Sequence, residues 1–288
     1  MKMLLIGKTG QLGWELNRTL LPLGEVIAVD FPQIDLEKPD TYVSIIRELK
    51  PDFIINSAAY TAVDLAETER ERAGNINTVA SGILAEEANK TNSFLIHYST
   101  DYVFDGMAGS LYKEDDSVNP LNIYGLTKLQ GEQAIQAAGG AHLIFRTSWV
   151  YSLRMAGGFV NKVLEWSRQQ TQLKIVTDQV SSPTWARMLA EVTSLLVSRG
   201  AGALREHSGI YHLAGSGHAS RYEWAKAILE LDPNKAGQKV QELLPAYTAD
   251  FPTPAARPLF SALDCSRFER TFGLHLPDWE KSLQLALR

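Results

Sequence analysis

The chain has 288 residues, 45% of them apolar and 21% charged, as is typical of a globular protein with a sizeable core. Its formal net charge of −5 argues against a general nucleic-acid-binding protein, because such proteins need a basic face. Cys265 is the single cysteine, which excludes an intrachain disulfide and favours a reducing, cytoplasmic location. No apolar run approaches the length of a membrane-spanning helix, so no membrane partner is expected.

The N-terminal residues predict a strand, a glycine-rich turn and a helix in direct succession. An apolar run at residues 3–6 is typical of a buried parallel strand, and a helical pattern covers residues 11–21. Between them the glycines recur as G-x-x-G-x-x-G, at Gly7, Gly10 and Gly13. Glycines let a pyrophosphate approach the backbone, and the helix start supplies amide donors. The turn therefore predicts a dinucleotide-binding site.

A second predicted strand, at residues 25–30, ends in Asp30, which lies 17 residues after Gly13. This spacing is close to that at which a carboxylate accepts hydrogen bonds from the adenosine ribose of a dinucleotide. A carboxylate there also repels a 2′-phosphate and so favours NADH, although neighbouring residues could offset the repulsion. The choice between NADH and NADPH is left open.

Predicted strands and helices continue to alternate through the first half of the chain. Further strands are expected at residues 52–56, 93–98 and 141–146, and helices at about 39–49, 64–89 with a break near Gly74, and 121–138. The alternation predicts an α/β fold with a doubly wound parallel sheet. Asn77 is interpreted either as a tie between helix and sheet or as core filler, and His97 as a core histidine.

The predicted helix at 121–138 carries Tyr124 and Lys128, whose spacing of four residues puts them on one helical face. An ammonium near a phenol favours the phenolate. Lys128 is therefore expected to lower the pKa of Tyr124, so that the phenol can exchange a proton with a reacting oxygen near neutral pH.

Two further side chains are expected to reach the same crevice from the ends of parallel strands. Thr100 follows the strand at 93–98 and is expected to hydrogen-bond the same oxygen as Tyr124, whereas Ser99 is better placed to cap the strand. Trp149 follows the next strand and is interpreted either as a flat apolar wall for a deoxysugar or as core packing.

The regular alternation weakens after residue 150, which predicts two unequal parts. Residues 1–150 are expected to form the dinucleotide-binding domain, and residues 151–288 mainly a smaller substrate-binding lobe, with about 177–214 returning to the sheet domain. Arg257 lies in a long proline-bearing loop at 245–258 and could bind a diphosphate as a fork. The histidines show no zinc-binding spacing, so none is expected to bind a metal.

Five strings together resemble the extended short-chain dehydrogenase/reductase family, and within it the sugar-nucleotide reductases. They are the glycine-rich opening at 7–16, S-T-D-Y-V-F at 99–104, Y-x-x-x-K at 124–128, R-T-S-W-V-Y at 146–151 and F-P-T-P-A-A-R-P at 251–258. The resemblance extends over nearly the whole chain. It implies a Rossmann-type sheet and a smaller C-terminal substrate-binding lobe.

The resemblance also implies a reaction, in which NADH or NADPH delivers hydride to the C4 ketone of dTDP-4-dehydro-β-L-rhamnose, giving dTDP-L-rhamnose for cell-envelope polysaccharide. Tyr124 would donate the proton, Lys128 would hold the nicotinamide ribose, and Thr100 would hydrogen-bond the ketone. The other implied contacts are the pyrophosphate at Gly10, Gln11 and Leu12, the adenosine end at Asp30, the adenine at Asp35 and Leu36, the rest of the cofactor at Ala59, Tyr60, Thr61 and Tyr98, and the sugar at Asp101 and Trp149.

Some relatives of this kind hold Mg²⁺ between acidic residues at a dimer contact. Glu15 and Glu280 keep an acidic character, but Arg187 stands at the third position. A cation there would repel Mg²⁺, so no bound metal is expected. A homodimer is left open.

Other activities on the same fold are weighed by the same residues. Tyr102 stands where a sugar-nucleotide dehydratase carries an acidic base, which disfavours elimination. A sugar-nucleotide epimerase and a non-catalytic NADP-binding regulatory subunit remain alternatives. The joint presence of Thr100, Tyr124 and Lys128 favours an active reductase.

Overall fold

Short apolar runs form a central sheet whose strands alternate with helices. The computed structural model describes residues 1–154 and 157–288. Its strands are β1 (Lys2–Ile6), β2 (Glu25–Val29), β3 (Phe53–Asn56), β4 (Phe94–Thr100), β5 (His142–Thr147), β6 (Val150–Tyr151), β7 (Gln172–Val176), β8 (Val180–Ser181), β9 (Thr184–Trp185), β10 (Gly209–His212), β11 (Ala219–Ser220) and β12 (Glu242–Ala246). Its α-helices are α1 (Gln11–Leu20), α2 (Asp40–Leu49), α3 (Val63–Ala66), α4 (Arg70–Gly74), α5 (Ala80–Thr91), α6 (Ile123–Ala138), α7 (Phe159–Gln169), α8 (Ala186–Val197), α9 (Gly200–Leu204), α10 (Arg221–Leu231), α11 (Ser266–Phe272) and α12 (Trp279–Ala286). Within these described ranges no helix combines the length and the apolar character needed to cross a bilayer.

Six strands form one parallel sheet in the order β10-β5-β4-β3-β1-β2. β1 pairs with both β2 and β3, so the chain changes from one side of β1 to the other between these two strands. With helices on both faces, this is a doubly wound α/β (Rossmann) fold, and the predicted fold class is confirmed. In such sheets ligands bind where the strand order reverses, at the carboxyl ends of the strands.

The central strand β1 is buried on both faces. Met3 and Leu5 belong to the apolar cluster that includes side chains of α1 and α8, whereas Leu4 and Ile6 belong to the cluster on the α2 and α5 side. None of the four is more than 1% exposed, and burying a side chain of this size contributes about 1.5–3 kcal/mol. Packing from both sides therefore fixes the end of β1 and the glycine turn that follows it.

The helix expected at 64–89 is divided into shorter segments. α3 and α4 are followed by a π-helical turn, Asn75–Val79, and then by α5. In that turn Asn77 accepts a hydrogen bond from the N–H of Tyr60 (2.9 Å) and donates to the Tyr60 carbonyl and the Thr127 hydroxyl (both 3.1 Å). Asn77 thus ties the loop after β3 to α6. Single π-helical turns of this kind often occur at functional sites.

A separate apolar cluster lies in the C-terminal part of the chain, around Trp224 of α10. α10 begins with a capping box, in which the Ser220 hydroxyl accepts from the N–H of Glu223 and the Glu223 carboxylate accepts from the N–H of Ser220. The capping box fixes the position of Arg221, the first residue of the helix. The domain division near residue 150 stays a prediction.

Candidate active site

A cavity of about 470 Å³ opens at the carboxyl ends of β1, β3, β4 and β5. The predicted site residues that line it are Gly7, Gly10, Gln11, Leu12, Asp30, Ala59, Thr61, Tyr98, Thr100, Asp101, Tyr124, Lys128 and Trp149. A neighbouring cavity of about 210 Å³ is lined by Asp35 and Leu36, together with Asp30 and Ala59, which line both cavities. The glycine turn and the tyrosine–lysine helix, far apart in sequence, thus meet in one space.

The glycine turn leaves the start of α1 open towards this cavity. Gly10 is the N-cap residue, no side chain caps the helix, and its first turn carries no acidic residue. Uncapped backbone N–H groups at a helix start favour an anion. The Oε1 atom of Gln11 is buried without a hydrogen-bond partner among the described residues. The uncapped N–H groups fit the pyrophosphate of a dinucleotide, whereas the Gln11 oxygen is an acceptor that a donor group of a ligand would satisfy.

Gly13 acts through packing, which corrects its prediction as a cofactor-binding residue. It does not line the cavity, and a Cβ atom there would lie 1.8 Å from the carbonyl oxygen of Gly7. Gly7 itself has φ of +92°, a backbone conformation that favours glycine. The two glycines therefore let α1 start directly against the end of β1.

Asp30 braces the glycine turn from the end of β2. Its Oδ2 accepts hydrogen bonds from the N–H (2.9 Å) and the hydroxyl (2.7 Å) of Thr9, and its Oδ1 accepts from the N–H of Phe31 (2.8 Å). Carboxylate oxygens can accept further bonds, and Asp30 lines both cavities. The contact with an adenosine ribose therefore stays a prediction that this geometry permits.

Two tyrosines on the predicted cofactor path direct their hydroxyls elsewhere. Tyr60 lies outside the lining of the main cavity and donates its hydroxyl to Glu69 (3.0 Å), so its place on the cofactor path stays a prediction. Tyr98 lines the cavity, but its hydroxyl is bonded to that of Thr193 (2.8 Å) on α8. The hydroxyl groups of both tyrosines are therefore bonded to other residues of the protein.

Helix α6 carries Tyr124 and Lys128 to the cavity wall. The Oδ1 atom of Asn122 accepts a hydrogen bond from the N–H of Gly125 (2.8 Å) and fixes the helix start. Gly125 lies so close to the turn after β4 that a Cβ atom would be 2.2 Å from the carbonyl oxygen of Tyr102. This close approach brings the Tyr124 phenol into a hydrogen bond with the Thr100 hydroxyl.

The pKa of Tyr124 is raised in the structure, which corrects the expectation that the nearby Lys128 brings it below its usual value. Burial raises the pKa of Tyr124, and the hydrogen bond with Thr100 opposes that increase. Lys128 is not bonded to the phenol, because its Nζ contacts the His97 Nε2 (2.9 Å) and donates to the Tyr98 carbonyl (2.7 Å). Tyr124 therefore keeps its proton at neutral pH, the form that a proton donor requires.

Ser99 and Thr100 face different surroundings although they are adjacent. The Ser99 hydroxyl donates to Glu132 (2.5 Å), which also pairs with Arg146 (2.7 Å) below the cavity. The Thr100 hydroxyl accepts from the N–H of Tyr102 (3.1 Å) and faces the cavity. Both residues line the cavity, but the Ser99 hydroxyl is engaged with Glu132, which favours Thr100 as the hydroxyl that contacts a ligand.

Asp101 forms a buried polar junction in the wall of the cavity. Its exposed fraction is 2%, and burial raises the pKa of its carboxyl while four hydroxyl groups oppose the increase. The hydroxyls that donate to it are those of Thr100 (3.2 Å), Ser148 (3.2 Å), Ser181 (3.0 Å) and Ser261 (2.5 Å). The carboxylate thus joins four chain segments, and its expected contact with the sugar stays a prediction.

Arg221 is a cavity-side residue that the sequence reasoning missed. Its guanidinium stacks on the Trp149 ring, 3.6 Å from the ring centre, and it pairs with no carboxylate among the described residues. Burial lowers its pKa to about 10, so it stays charged at neutral pH. Trp149 lines the cavity, but Arg221 and the stacked ring of Trp224 both pack against it, so both the wall and the core-packing interpretations stay open. The Ser220–Glu223 spacing, typical of a capping box, was the available signal for the start of this helix.

Arg257 is paired with other residues of the protein, and its prediction as a fork for a diphosphate stays a prediction. Its Nη1 and Nη2 donate to the two carboxylate oxygens of Asp64 at 2.8 and 2.7 Å. It also donates to Thr253 (2.6 Å) and to the Ala255 carbonyl (2.6 Å), and it does not line the main cavity. The fork exists, but it holds the late loop against α3.

Two of the three residues considered for a metal at a dimer contact, Glu15 and Arg187, form ion pairs. Arg187 donates to Glu191 (2.9 Å), and its charge, together with that of Arg18, opposes the rise in the pKa of Glu15 that burial causes. Over residues 1–154 and 157–288, no group of three or more His, Cys, Asp or Glu side chains could hold a metal ion. The absence of a metal and a homodimer both stay predictions.

Sequence comparisons identify close relatives along the entire chain. A family model described as the RmlD substrate binding domain matches residues 1–288. The dTDP-4-dehydrorhamnose reductase of Escherichia coli K12 is 41% identical over 293 residues, which cover 100% of this chain and 97% of the relative. The dTDP-4-dehydrorhamnose reductase of Burkholderia thailandensis is 40% identical over 296 residues, which cover 100% and 98%.

Solved structures give the same picture. A dTDP-4-dehydrorhamnose reductase from Bacillus anthracis in complex with NADP matches with a TM-score of 0.90 at 32% identity, covering 99% of this chain and 98% of that one. A Thermus thermophilus UDP-glucose 4-epimerase complex with NAD matches with a TM-score of 0.81 at 20% identity, covering 100% and 98%. The epimerase match supports the fold alone.

Proposed function

Because the chain belongs to the family of the RmlD substrate binding domain, we propose that it reduces the C4 ketone of dTDP-4-dehydro-β-L-rhamnose to dTDP-L-rhamnose with NADH or NADPH. The observation that carries the proposal is the buried Tyr124 phenol, hydrogen-bonded to Thr100, in the same cavity as a glycine turn suited to a dinucleotide. A cytoplasmic location and a place in cell-envelope polysaccharide synthesis belong to the same proposal.

The cofactor would lie along the carboxyl edge of the sheet. The start of α1, with Gly10, Gln11 and Leu12, would hold the pyrophosphate, and Asp30 would hold the adenosine end, with Asp35 and Leu36 beside the adenine. When bound, the reduced nicotinamide supplies the hydride for the reaction. A relative solved in complex with NADP supports a nicotinamide cofactor of this kind.

Tyr124 and Thr100 would act on the ketone oxygen from the same side. In the free protein the Thr100 hydroxyl donates to Asp101 (3.2 Å), so it would turn its hydrogen towards a bound ketone. As negative charge develops on that oxygen, two positioned hydroxyl donors stabilise it. Tyr124 then transfers its proton and becomes a phenolate, which the neighbouring Lys128 ammonium favours.

Arg221 is our candidate for holding the diphosphate of the sugar nucleotide. It is a half-buried cation stacked on the cavity residue Trp149, and among the described residues it forms no ion pair, although the charge of Asp101 helps to raise its pKa. A guanidinium so placed suits an anionic group that displaces water, because buried charges need a counter-charge.

Replacing Arg221 with methionine is expected to raise KM for the sugar nucleotide about tenfold or more, with a smaller change in kcat. A charge-assisted hydrogen bond contributes about 1.5–3 kcal/mol, and methionine keeps the contact with Trp149 while removing the charge. Steady-state kinetics at saturating cofactor measures the effect. Lys226→Met, which removes an exposed cation from the same helix, is the matched control. An unchanged KM would remove Arg221 from the proposal.

The activity itself is tested by the loss of NADH or NADPH absorbance when the purified protein meets dTDP-4-dehydrorhamnose. We expect stoichiometric oxidation of the cofactor, and a panel of nucleotide-linked ketosugars assayed with both cofactors defines the preferred pair. Lack of oxidation with every ketosugar would contradict the proposal. Isolation of the protein with tightly bound, non-exchanging NAD⁺ would instead favour the epimerase alternative.

A further inference from the structure

A run of hydrogen-bonded side chains crosses the sheet and ends at Lys128, which lines the cavity. The backbone N–H of Ala58 donates to the Oδ1 of Asn56 (3.2 Å), and the Nδ2 of Asn56 contacts the Nδ1 of His97 (3.2 Å). The Nε2 of His97 contacts the Nζ of Lys128 (2.9 Å), which also donates to the Tyr98 carbonyl (2.7 Å). The run joins the loop after β3 to the catalytic helix.

The register of the sheet produces this run. Asn56 ends β3 and is paired with His97 on the adjacent strand β4, so their side chains project from the same face of the sheet. Helix α6 packs on that face and places the Lys128 side chain in contact with His97. All three side chains are buried, with no more than 1% exposed, so water does not compete for their hydrogen bonds.

The direction of these hydrogen bonds follows from the backbone N–H of Ala58, the one group in the run whose role as a donor is fixed. The Ala58 N–H can only donate, so Asn56 presents its oxygen to Ala58 and its NH₂ group to His97. The Nδ1 of His97 must then accept. Burial lowers the pKa of His97 well below its usual value, so the ring is neutral and carries its one hydrogen on Nε2. That hydrogen points at Lys128.

An ammonium has three hydrogens and no lone pair, so it can only donate. When Lys128 is charged, its ammonium and the Nε2–H of His97 are therefore two donors that face each other. The uncharged amine can accept the Nε2 hydrogen and still donate to the Tyr98 carbonyl. We propose that His97, oriented by Asn56, is a positioning residue for Lys128, which donates its Nε2 hydrogen to the lysine nitrogen and favours the amine form. The kinetic consequence of this inference rests on the proposed reductase function.

Other charged groups at this end of the cavity act on the same lysine. Glu132, on the same helix and held by Arg146, raises the pKa of Lys128, whereas burial lowers it more, to about 8. The other titratable groups that line the cavity are Tyr124 on α6, Asp101 after β4, Tyr98 on β4 and Asp30 after β2. Lysine is charged below its pKa. Phenolate stabilisation by Lys128 is therefore present below about pH 8 and is lost as the pH rises through that value.

Two substitutions of His97 separate position from hydrogen-bond direction. In His97→Gln the amide reaches the place of Nε2 but is freed from Asn56, so its oxygen can turn to the ammonium. In His97→Asn the amide reaches only the place of Nδ1, so the contact with Lys128 is lost. We expect kcat within about threefold of the unsubstituted protein for His97→Gln and at least about tenfold lower for His97→Asn.

The titration of Lys128 is measured without substrate, by NMR of protein labelled with [ε-¹³C]lysine, with Lys128→Met used to assign the signal. In His97→Gln the pKa of Lys128 is expected to rise by about one unit, and the alkaline limb of the kcat profile should move with it. His212→Gln, which alters a buried histidine bonded to the Tyr112 carbonyl, is the control and should leave the Lys128 signal unchanged.

The outcomes are distinguishable from those of the proposed function. Equal loss of kcat in folded His97→Gln and His97→Asn would overturn the positioning role. An unchanged or lowered pKa of Lys128 in His97→Gln would overturn the assignment of His97 as the donor. If the unsubstituted protein reduced no ketosugar, the proposed function would fail while the NMR titration still decided the hydrogen-bond direction.

Discussion

Replacing Tyr124 with phenylalanine is expected to lower kcat about 10²–10⁴-fold, the usual effect of removing a positioned general acid. Phenylalanine keeps the ring and its edge contact with Tyr102, whose ring centre lies 5.9 Å away, so the cavity wall should keep its shape. Only the proton and the hydrogen bond with Thr100 are lost. Steady-state oxidation of the reduced cofactor measures the rate, and cofactor fluorescence measures binding, which should stay unchanged.

Tyr222→Phe is the matched control, because its hydroxyl donates to the Leu243 carbonyl (3.1 Å) in the C-terminal part of the chain, away from the cavity. It should stay within about twofold of the unsubstituted rate. A Tyr124→Phe protein that kept its full rate would remove the proton-donating role from this residue and direct attention to another acid. A fall in rate accompanied by loss of cofactor binding would show a structural effect instead.

Gly125→Ala is expected to lower kcat on the order of 10²-fold, although residue 125 carries no reacting group. The added Cβ atom would lie 2.2 Å from the Tyr102 carbonyl oxygen and 3.1 Å from the Cβ of Pro120. A backbone oxygen cannot rotate away, so α6 must move away from the turn after β4 and carry Tyr124 with it. A displacement of about 1 Å in a catalytic group can cost about 10²-fold in rate.

The overpacking should also cost about 1–3 kcal/mol of stability, visible as a lower Tm by circular dichroism. Gly74→Ala is the control, because that glycine is also helical and a Cβ atom there meets nothing within 4 Å. It should leave kcat unchanged. If Gly125→Ala kept kcat within threefold while folded, the close approach of α6 to the turn would not govern the position of the phenol.

Local sequence patterns predicted the parts of the molecule that depend on interactions between residues close in sequence. The glycine turn of β1 and α1 depends on neighbouring residues, and so does the placement of Tyr124 and Lys128 on one helix, so periodicity and spacing were sufficient. The parallel doubly wound sheet followed from the alternation of strands and helices and is confirmed. The expected family is confirmed by the full-length match.

Hydrogen bonds and ion pairs between residues far apart in sequence could not be predicted in this way. Arg257 appeared free, but it pairs with Asp64, which lies 193 residues earlier. His97 was interpreted as a core histidine, and it is buried, yet the sheet register places it between Asn56 and Lys128. The pKa of Tyr124 was expected to fall because a short spacing was read as a contact. Burial and the actual partners of the lysine decide its direction.

The junction at Asp101 has a consequence for how the protein is made. Its carboxylate receives the Ser148 hydroxyl from 47 residues downstream and the Ser261 hydroxyl from 160 residues downstream. A ribosome releases the sheet strands β1 to β5 well before Ser261 emerges, so the nascent chain holds this acid with its partners incomplete. The part of the cavity around Asp101 is consequently the last to mature, only after the final quarter of the polypeptide has docked.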